Sequence, residues 1–417
     1  MDNSPPSPSY LRTLGPGIIY AAAAVGISHL VQSTRAGADF GFTLTGVLLL
    51  ICLVKYPSLR FGAEYAAATG TSLIDSYYRQ GRWVVYLVAA VTFVSMFFIT
   101  ASLSLVTAGL FKALVGVHWP DIPVAGAFIL AGGVSLIFGH YRLLERTSMV
   151  LVPLFTLAIF VAVGIVALKI PWEAASFLMP PVNTFTLVSI VALAGFMPTP
   201  VDGSILQSLW TCAKSITEQQ RFTRAGILLD FNIGYVLSTV LAFGFMLLGA
   251  GVLHGSGVEL SGNAGLFAAQ ILSLFTDAIG DWSFYLVGLC AFTVILSTLL
   301  TILDGYPRIM ATVINRLYLR QEDDRLMTIN LNIMVILNGS GALVVLLFLM
   351  KTFQSFIDLT AALVFLTGPL FAILNHRAVF GPEMPAQQRP GELLRWWSLS
   401  GIVVMIGAAV SYALIKS

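Results

Sequence analysis

The sequence predicts an all-α integral membrane protein of eleven transmembrane helices. Composition gives the first reason: of 417 residues, 57% are hydrophobic and only 10% are charged, too few polar groups to cover a water-soluble globule. The second is segment length. Apolar stretches of about 20 residues match the hydrocarbon thickness at the helical rise and are too long for barrel strands.

The first stretch, 14–38, follows a polar start, MDNSPPSPSY, which leads into a span and not into a cleavage site, so no cleavable signal peptide is expected. Apolar runs at 43–68, 84–115, 121–139 and 148–169 supply the second to fifth spans. The sixth covers 185–212 and the seventh 224–252. Before the eighth, at 282–310, the segment GLFAAQILSLFTDAIG is too short to cross together with its flanks and reads as an external helix over the bundle. Runs at 328–350, 357–375 and 394–415 complete the set.

With the amino terminus inside, the inner segments hold Arg12, Arg79, Arg82, Arg142, Arg146, Lys214, Arg221, Arg224, Arg308, Arg316, Arg320, Arg325, Arg377, Arg389 and Arg395. The outer ones keep little beyond Lys112, Lys169 and Lys351. This bias sets the amino terminus in the cytoplasm and the carboxyl terminus outside, in a plasma membrane of prokaryotic type. A net charge of +2 gives no sign of nucleic acid; the expected partners are the lipid bilayer and a small inorganic ion. Oligomeric state is not legible, and a monomer fits the reading. Cys52, Cys212 and Cys290 are scattered and match neither a metal cluster nor a disulfide framework.

Two spans are interrupted. AAAAVGISHLVQS, residues 21–33, places Gly26, Ile27, Ser28 and His29 at mid-membrane depth, and ALAGFMPTPVDGSILQS, residues 192–208, packs two prolines and two glycines into ten residues of the sixth span. Irregular backbone at that depth is tolerated where it is buried in protein or lines a cavity, so two breaks five spans apart point to a transport site between inverted repeats.

The stretch LGPGIIYAAAAVGISHLVQSTRAGADFGFT resembles the first span of Nramp transporters, whose pattern runs GPG, Asp-Pro-Gly-Asn, then AGAxYGY. GPG at 15–17 and AGADFGF at 36–42 anchor that likeness. Ala194, Gly195, Phe196, Met197 and Pro198 match the family's Ala-x-x-Met-Pro, and Asp230 stands where the family carries an aspartate. The resemblance implies the fold of the amino-acid/polyamine/organocation superfamily, two inverted five-helix repeats (LeuT-like) plus an accessory eleventh helix. On this chain that divides into a tail at 1–13, repeats at 14–170 and 171–375, and the accessory part at 376–417. It implies secondary transport and no enzymatic activity, and no GxxxxGK[ST] loop for ATP is present.

The departures concern the substrate. Gly26, Ile27, Ser28 and His29 replace Asp-Pro-Gly-Asn, Ser204 replaces the family's sixth-span histidine, and the third span lacks its acids. Of the family's metal ligands only Met197 and the Ala194 carbonyl persist. A dehydrating dication needs compensating negative charge, which this pattern does not obviously supply. Asp202 is the nearest acid, but Thr199-Pro200-Val201-Asp202 reads as a helix start with Thr199 as N-cap. Asp304 with Arg308, and Glu64 with Arg60, are spaced as local pairs.

Half-helices starting at Ser28 and Thr199 would aim unpaired N–H groups at the midplane, and these favour an anion. The expected substrate set is therefore Gly26, Ile27, Ser28, His29, Ala194, Met197 and Thr199. Sodium, the expected coupling ion, would sit on the hydroxyls of Ser297 and Thr298 and the carbonyls of Val25 and Ser28, with no further cofactor. Together these predict sodium-coupled uptake of a small inorganic anion such as bicarbonate. The alternative is proton-coupled transport of a divalent metal cation of the manganese, iron or magnesium type, with His29, Met197 and Asp202 as ligands.

Overall fold

A computed structural model describes Gly17, Tyr20 and residues 24–138, 141–217, 223–318 and 324–416. The expected tail at 1–13, most of the GPG motif, Arg12, Arg221 and Arg320 lie outside the described residues. Every described element is helical. A π-helix, Ser28–Ser33, runs directly into α1 (Thr34–Phe40) and is followed by α2 (Thr45–Thr69), α3 (Leu73–Gln80), α4 (Arg82–Val115), α5 (Asp121–Ile137) and α6 (Tyr141–Lys169). Then come α7 (Thr184–Phe196), α8 (Gly203–Thr217), α9 (Arg224–Leu248), α10 (Ala264–Ile279), α11 (Ser283–Tyr318), α12 (Asp324–Leu349), α13 (Phe353–Phe380) and α14 (Glu392–Lys416).

Seven of these are long and apolar enough to cross a membrane: α2, α4, α9 with its π-helical extension to Leu253, α11, α12, α13 and α14. Shorter apolar helices occupy Asp121–Ile137, Pro153–Lys169, Thr184–Phe196 and Ala264–Ile279. Helix ends follow local chemistry. Gly70 and Gly116 take left-handed backbone, φ 69° and 73°, just past α2 and α4, where an L side chain would be strained. Ser72 and Asp75 form a reciprocal capping box at the start of α3, and the Asn183 side chain accepts from the Thr186 N–H at 2.8 Å to start α7.

The interior is built on α4 and α11, which lie against each other, with α10 packed across both. The short segment after the seventh span thus forms a helix, and it buries Phe267, Ile271, Leu274 and Phe275. On the other side, α2 packs on α8, α9, α13 and α14. Contact there is close enough to require glycine: a Cβ at Gly62 would meet the Ser204 carbonyl, and one at Gly195 the Ala361 carbonyl.

The two interruptions differ from expectation in form. Among the described residues the first does not unwind: the chain turns at Val25–Gly26, Ile27 keeps helical backbone at φ −56° and ψ −38°, and the π-helix begins at once. The sixth span does open, since α7 ends at Phe196 and α8 begins only at Gly203. The expected half-helix start at Thr199 is therefore displaced by four residues. Proline at 198 and 200 removes two N–H donors, so the helical ladder cannot run through.

Candidate functional site

A cavity of about 60 Å³ lies between the two interruptions, walled also by α4 and α11. That is room for a small ion with a few waters, since one water needs about 10–15 Å³ by the same measure. Of the residues expected to bind substrate or sodium, Gly26, Ile27, Ser28, Thr199 and Thr298 line it, whereas Val25, His29, Ala194, Met197 and Ser297 do not.

Among the described residues Asp202 is the only charged side chain in the lining, and it is 4% exposed. Its Oδ2 accepts from the Tyr306 hydroxyl on α11 at 2.8 Å, and its Oδ1 has no hydrogen-bond partner. The side chain lines the cavity at the start of α8. The N–H groups of Gly203, Ser204 and Ile205 are donated to the carbonyls of Pro200, Val201 and Asp202, at 3.1, 3.1 and 2.9 Å. This weakens the anion argument: the first N–H groups of α8 bond the preceding turn, and a carboxylate stands in the cavity wall.

His29 is fully buried outside the cavity lining. Its Nε2 lies 2.7 Å from the Ser238 carbonyl on α9, and a carbonyl only accepts, so that nitrogen carries a hydrogen. Nδ1 of the neutral ring is then an acceptor, and it lies 2.7 Å from Ser28 Oγ, whose single hydrogen is shared between Nδ1 and the Ala24 carbonyl, 2.5 Å away. Both ring nitrogens are thus engaged, and Phe245 packs against the ring at an interplanar angle of 70°. His29, expected as a substrate or metal contact, thus stands in packing contacts outside this cavity lining. His29→Ala is expected to lower stability by about 2–4 kcal/mol through lost hydrogen bonds and a new void. Thermal denaturation checks this; an unchanged midpoint with weakened substrate affinity would return His29 to the site.

Met197 is also fully buried; its sulfur accepts from the Ser33 hydroxyl at 3.5 Å. The carbonyls of Ala194, Gly195 and Met197 accept from Lys55 Nζ at 3.0, 3.2 and 2.7 Å. Sequence reasoning passed over Lys55, although a lone lysine inside GVLLLICLVKYPSL is itself a signal, because an ionisable group at that depth needs a partner.

The remaining expected positions separate by face. Thr298 lines the cavity and donates to the Val294 carbonyl at 3.0 Å, whereas Ser297, one residue earlier, is not in the lining. Ser204 accepts from Asn375 at 2.7 Å, and Asp230 Oδ2 accepts from the Gly17 N–H at 2.6 Å. Arg308 meets Asp304 at 2.7 Å, as the spacing predicted. Beyond the π-helix, Arg35 forms a two-pronged pair with Asp358 on α13, at 2.7 and 3.2 Å, so the far side of the first interruption is tied to that helix. Among the described residues no three His, Cys, Asp or Glu side chains gather as a metal cluster.

Residues 17–414 match the family described as natural resistance-associated macrophage protein-like. The chain belongs to the Nramp family. An uncharacterized protein of Pasteurella multocida (strain Pm70) is 30% identical over 402 residues, 95% of this chain and 90% of that protein. A solved manganese transporter of Eremococcus coleocola superposes with a TM-score of 0.72 at 12% identity, covering 97% of this chain and 87% of its own. MhsT in complex with L-phenylalanine gives 0.63 at 16% identity, covering 94% and 98%. At such identities the likeness to solved structures is one of fold. This Nramp chain is therefore a multi-pass membrane transporter whose fold extends to LeuT-like carriers.

Proposed function

We propose that this Nramp chain carries a small divalent cation of the oxygen-seeking class, manganese or magnesium, by alternating access, with Asp202 as its charged ligand. The observation that carries the reading is the unpartnered Asp202 Oδ1 in the wall of a small cavity. A buried carboxylate oxygen without a partner repels an anion and gains from a cation. This replaces the bicarbonate reading, which assumed a mildly positive site with no certain carboxylate.

The other polar side-chain groups of the lining include the hydroxyls of Ser28, Thr199, Thr298 and Tyr306. The sulfur of Met197 is turned away, toward Ser33. Oxygen donors suit magnesium and manganese better than softer ions, and one carboxylate leaves the ion to keep several waters, as the cavity volume allows. The solved neighbours described as manganese transporters support the same class. Lys55 lies within electrostatic reach of Asp202 and weakens its hold on a dication, which suits a carrier that must release its cargo. The repeats at 14–170 and 171–375, the accessory helix and a cytoplasmic amino terminus belong to this proposal, as does coupling to a proton or to sodium near Ser28 and Thr298.

Flux into proteoliposomes tests it. Saturable manganese uptake, competed by excess magnesium, with no uptake of labelled bicarbonate, is the expected result. Bicarbonate uptake without manganese uptake would overturn it. Running the assay in sodium and in choline, with and without a pH gradient, identifies the coupling ion.

A further inference from the structure

We propose that Lys55 is a tethered cation, whose ammonium fills a carbonyl cradle in the sixth-span interruption that would otherwise take a free alkali ion. The inference goes beyond the carried substrate and does not rest on its identity.

The cradle follows from the sequence. In a continuous helix the Ala194 carbonyl would accept from the N–H of residue 198, but Pro198 has none. Because α7 stops at Phe196, the carbonyls of Gly195 and Met197 also lose their helical partners. Three acceptors are thus left in the interior, and an unsatisfied buried carbonyl costs about 1–3 kcal/mol.

Lys55 answers all three. An ammonium has three donors, and the oxygens of Ala194, Gly195 and Met197 lie 3.0, 3.2 and 2.7 Å from Nζ. The residue is 4% exposed, sits within α2 and has no ion-pair partner among the described residues. Its charge is held by carbonyl dipoles, which is how carbonyl-lined sites hold bare monovalent cations. The tether removes the entropy of capturing an ion, so the interruption stays loaded whatever salt surrounds it. It also withholds the Ala194 and Met197 carbonyls from any transported ion and leaves Asp202 as the ligand on the cavity side.

The test reads thermal midpoints of the purified full chain in detergent, without transported substrate, in choline, sodium, potassium or methylammonium chloride at matched ionic strength. The parent should give the same midpoint in choline, potassium and methylammonium, and any sodium effect common to the parent and the variants belongs to a coupling site near Ser28 and Thr298. Lys55→Ala should melt several degrees lower in choline and recover saturably in potassium, sodium or methylammonium, because a free cation then binds only the folded state. Lys55→Met, which keeps the apolar stem and removes the charge, carries the same test where alanine does not accumulate as folded protein. Saturable stabilisation of the parent by potassium or methylammonium overturns the proposal, and so do folded Lys55 variants indifferent to all small cations. Failure of manganese flux in the parent would leave these midpoints untouched, so the two proposals fail separately.

Discussion

Asp202→Asn is expected to reduce manganese uptake by about a hundredfold or more while the protein remains folded. The variant keeps the size of the side chain and an oxygen for the Tyr306 hydroxyl, so the contact between α8 and α11 survives. What it loses is the one charge that the described residues place in the cavity lining. Removing one partner of a buried charge interaction costs about 3–5 kcal/mol, and each 1.4 kcal/mol is about tenfold. Tyr306→Phe separates positioning from charge. It leaves the carboxylate and deletes one hydrogen bond to it, worth about 1.5–3 kcal/mol, so a smaller loss of about tenfold is expected. Initial rates of manganese uptake in proteoliposomes check both. Undiminished uptake by Asp202→Asn would remove Asp202 from the site and with it the main support for a cation.

Much of the fold was legible because its causes are local. Apolar length marks the helices, and the prolines at 198 and 200 mark the open sixth span. The site was less legible because it depends on which way side chains face. His29 stands at an interruption in sequence, yet its ring turns toward Ser238, 209 residues along, and away from the cavity. Ser297 and Thr298 are adjacent in sequence and about 100° apart on α11, so only Thr298 reaches the lining. For Asp202 the TPVD pattern marked a helix start, but the contact of its carboxylate with Tyr306, 104 residues along, has no local signal. Lys55 was readable in principle. Its charge within an apolar run required a partner, and Pro198 had already announced an orphaned carbonyl; only the pairing of the two needed coordinates.

The same distinction between local and distant partners sets a second large effect. Glu64→Gln is expected to destabilise the protein by about 3 kcal/mol, read as a fall in the thermal midpoint of the detergent-solubilised chain. Sequence spacing shows Glu64 one turn from Arg60, and their contact is 2.8 Å. It does not show Arg224 at the start of α9, whose Nε lies 2.6 Å from the other carboxylate oxygen. The Glu64 side chain is wholly buried between two guanidinium groups and joins α2 to α9. Glutamine fills its volume but leaves two neighbouring cations with no counter-charge, so the variant bears both lost attraction and new repulsion. Arg60 and Arg224 keep 21% and 34% exposure, and water offsets part of the cost, which is why the figure sits at the low end for buried pairs. Asp304→Asn supplies the comparison. Its pair with Arg308 is 29% and 40% exposed, and neutralising it should cost less than about 1 kcal/mol. Equal shifts for the two variants would mean that Glu64 contributes no more than a surface pair, and that apolar packing alone holds α9 to α2.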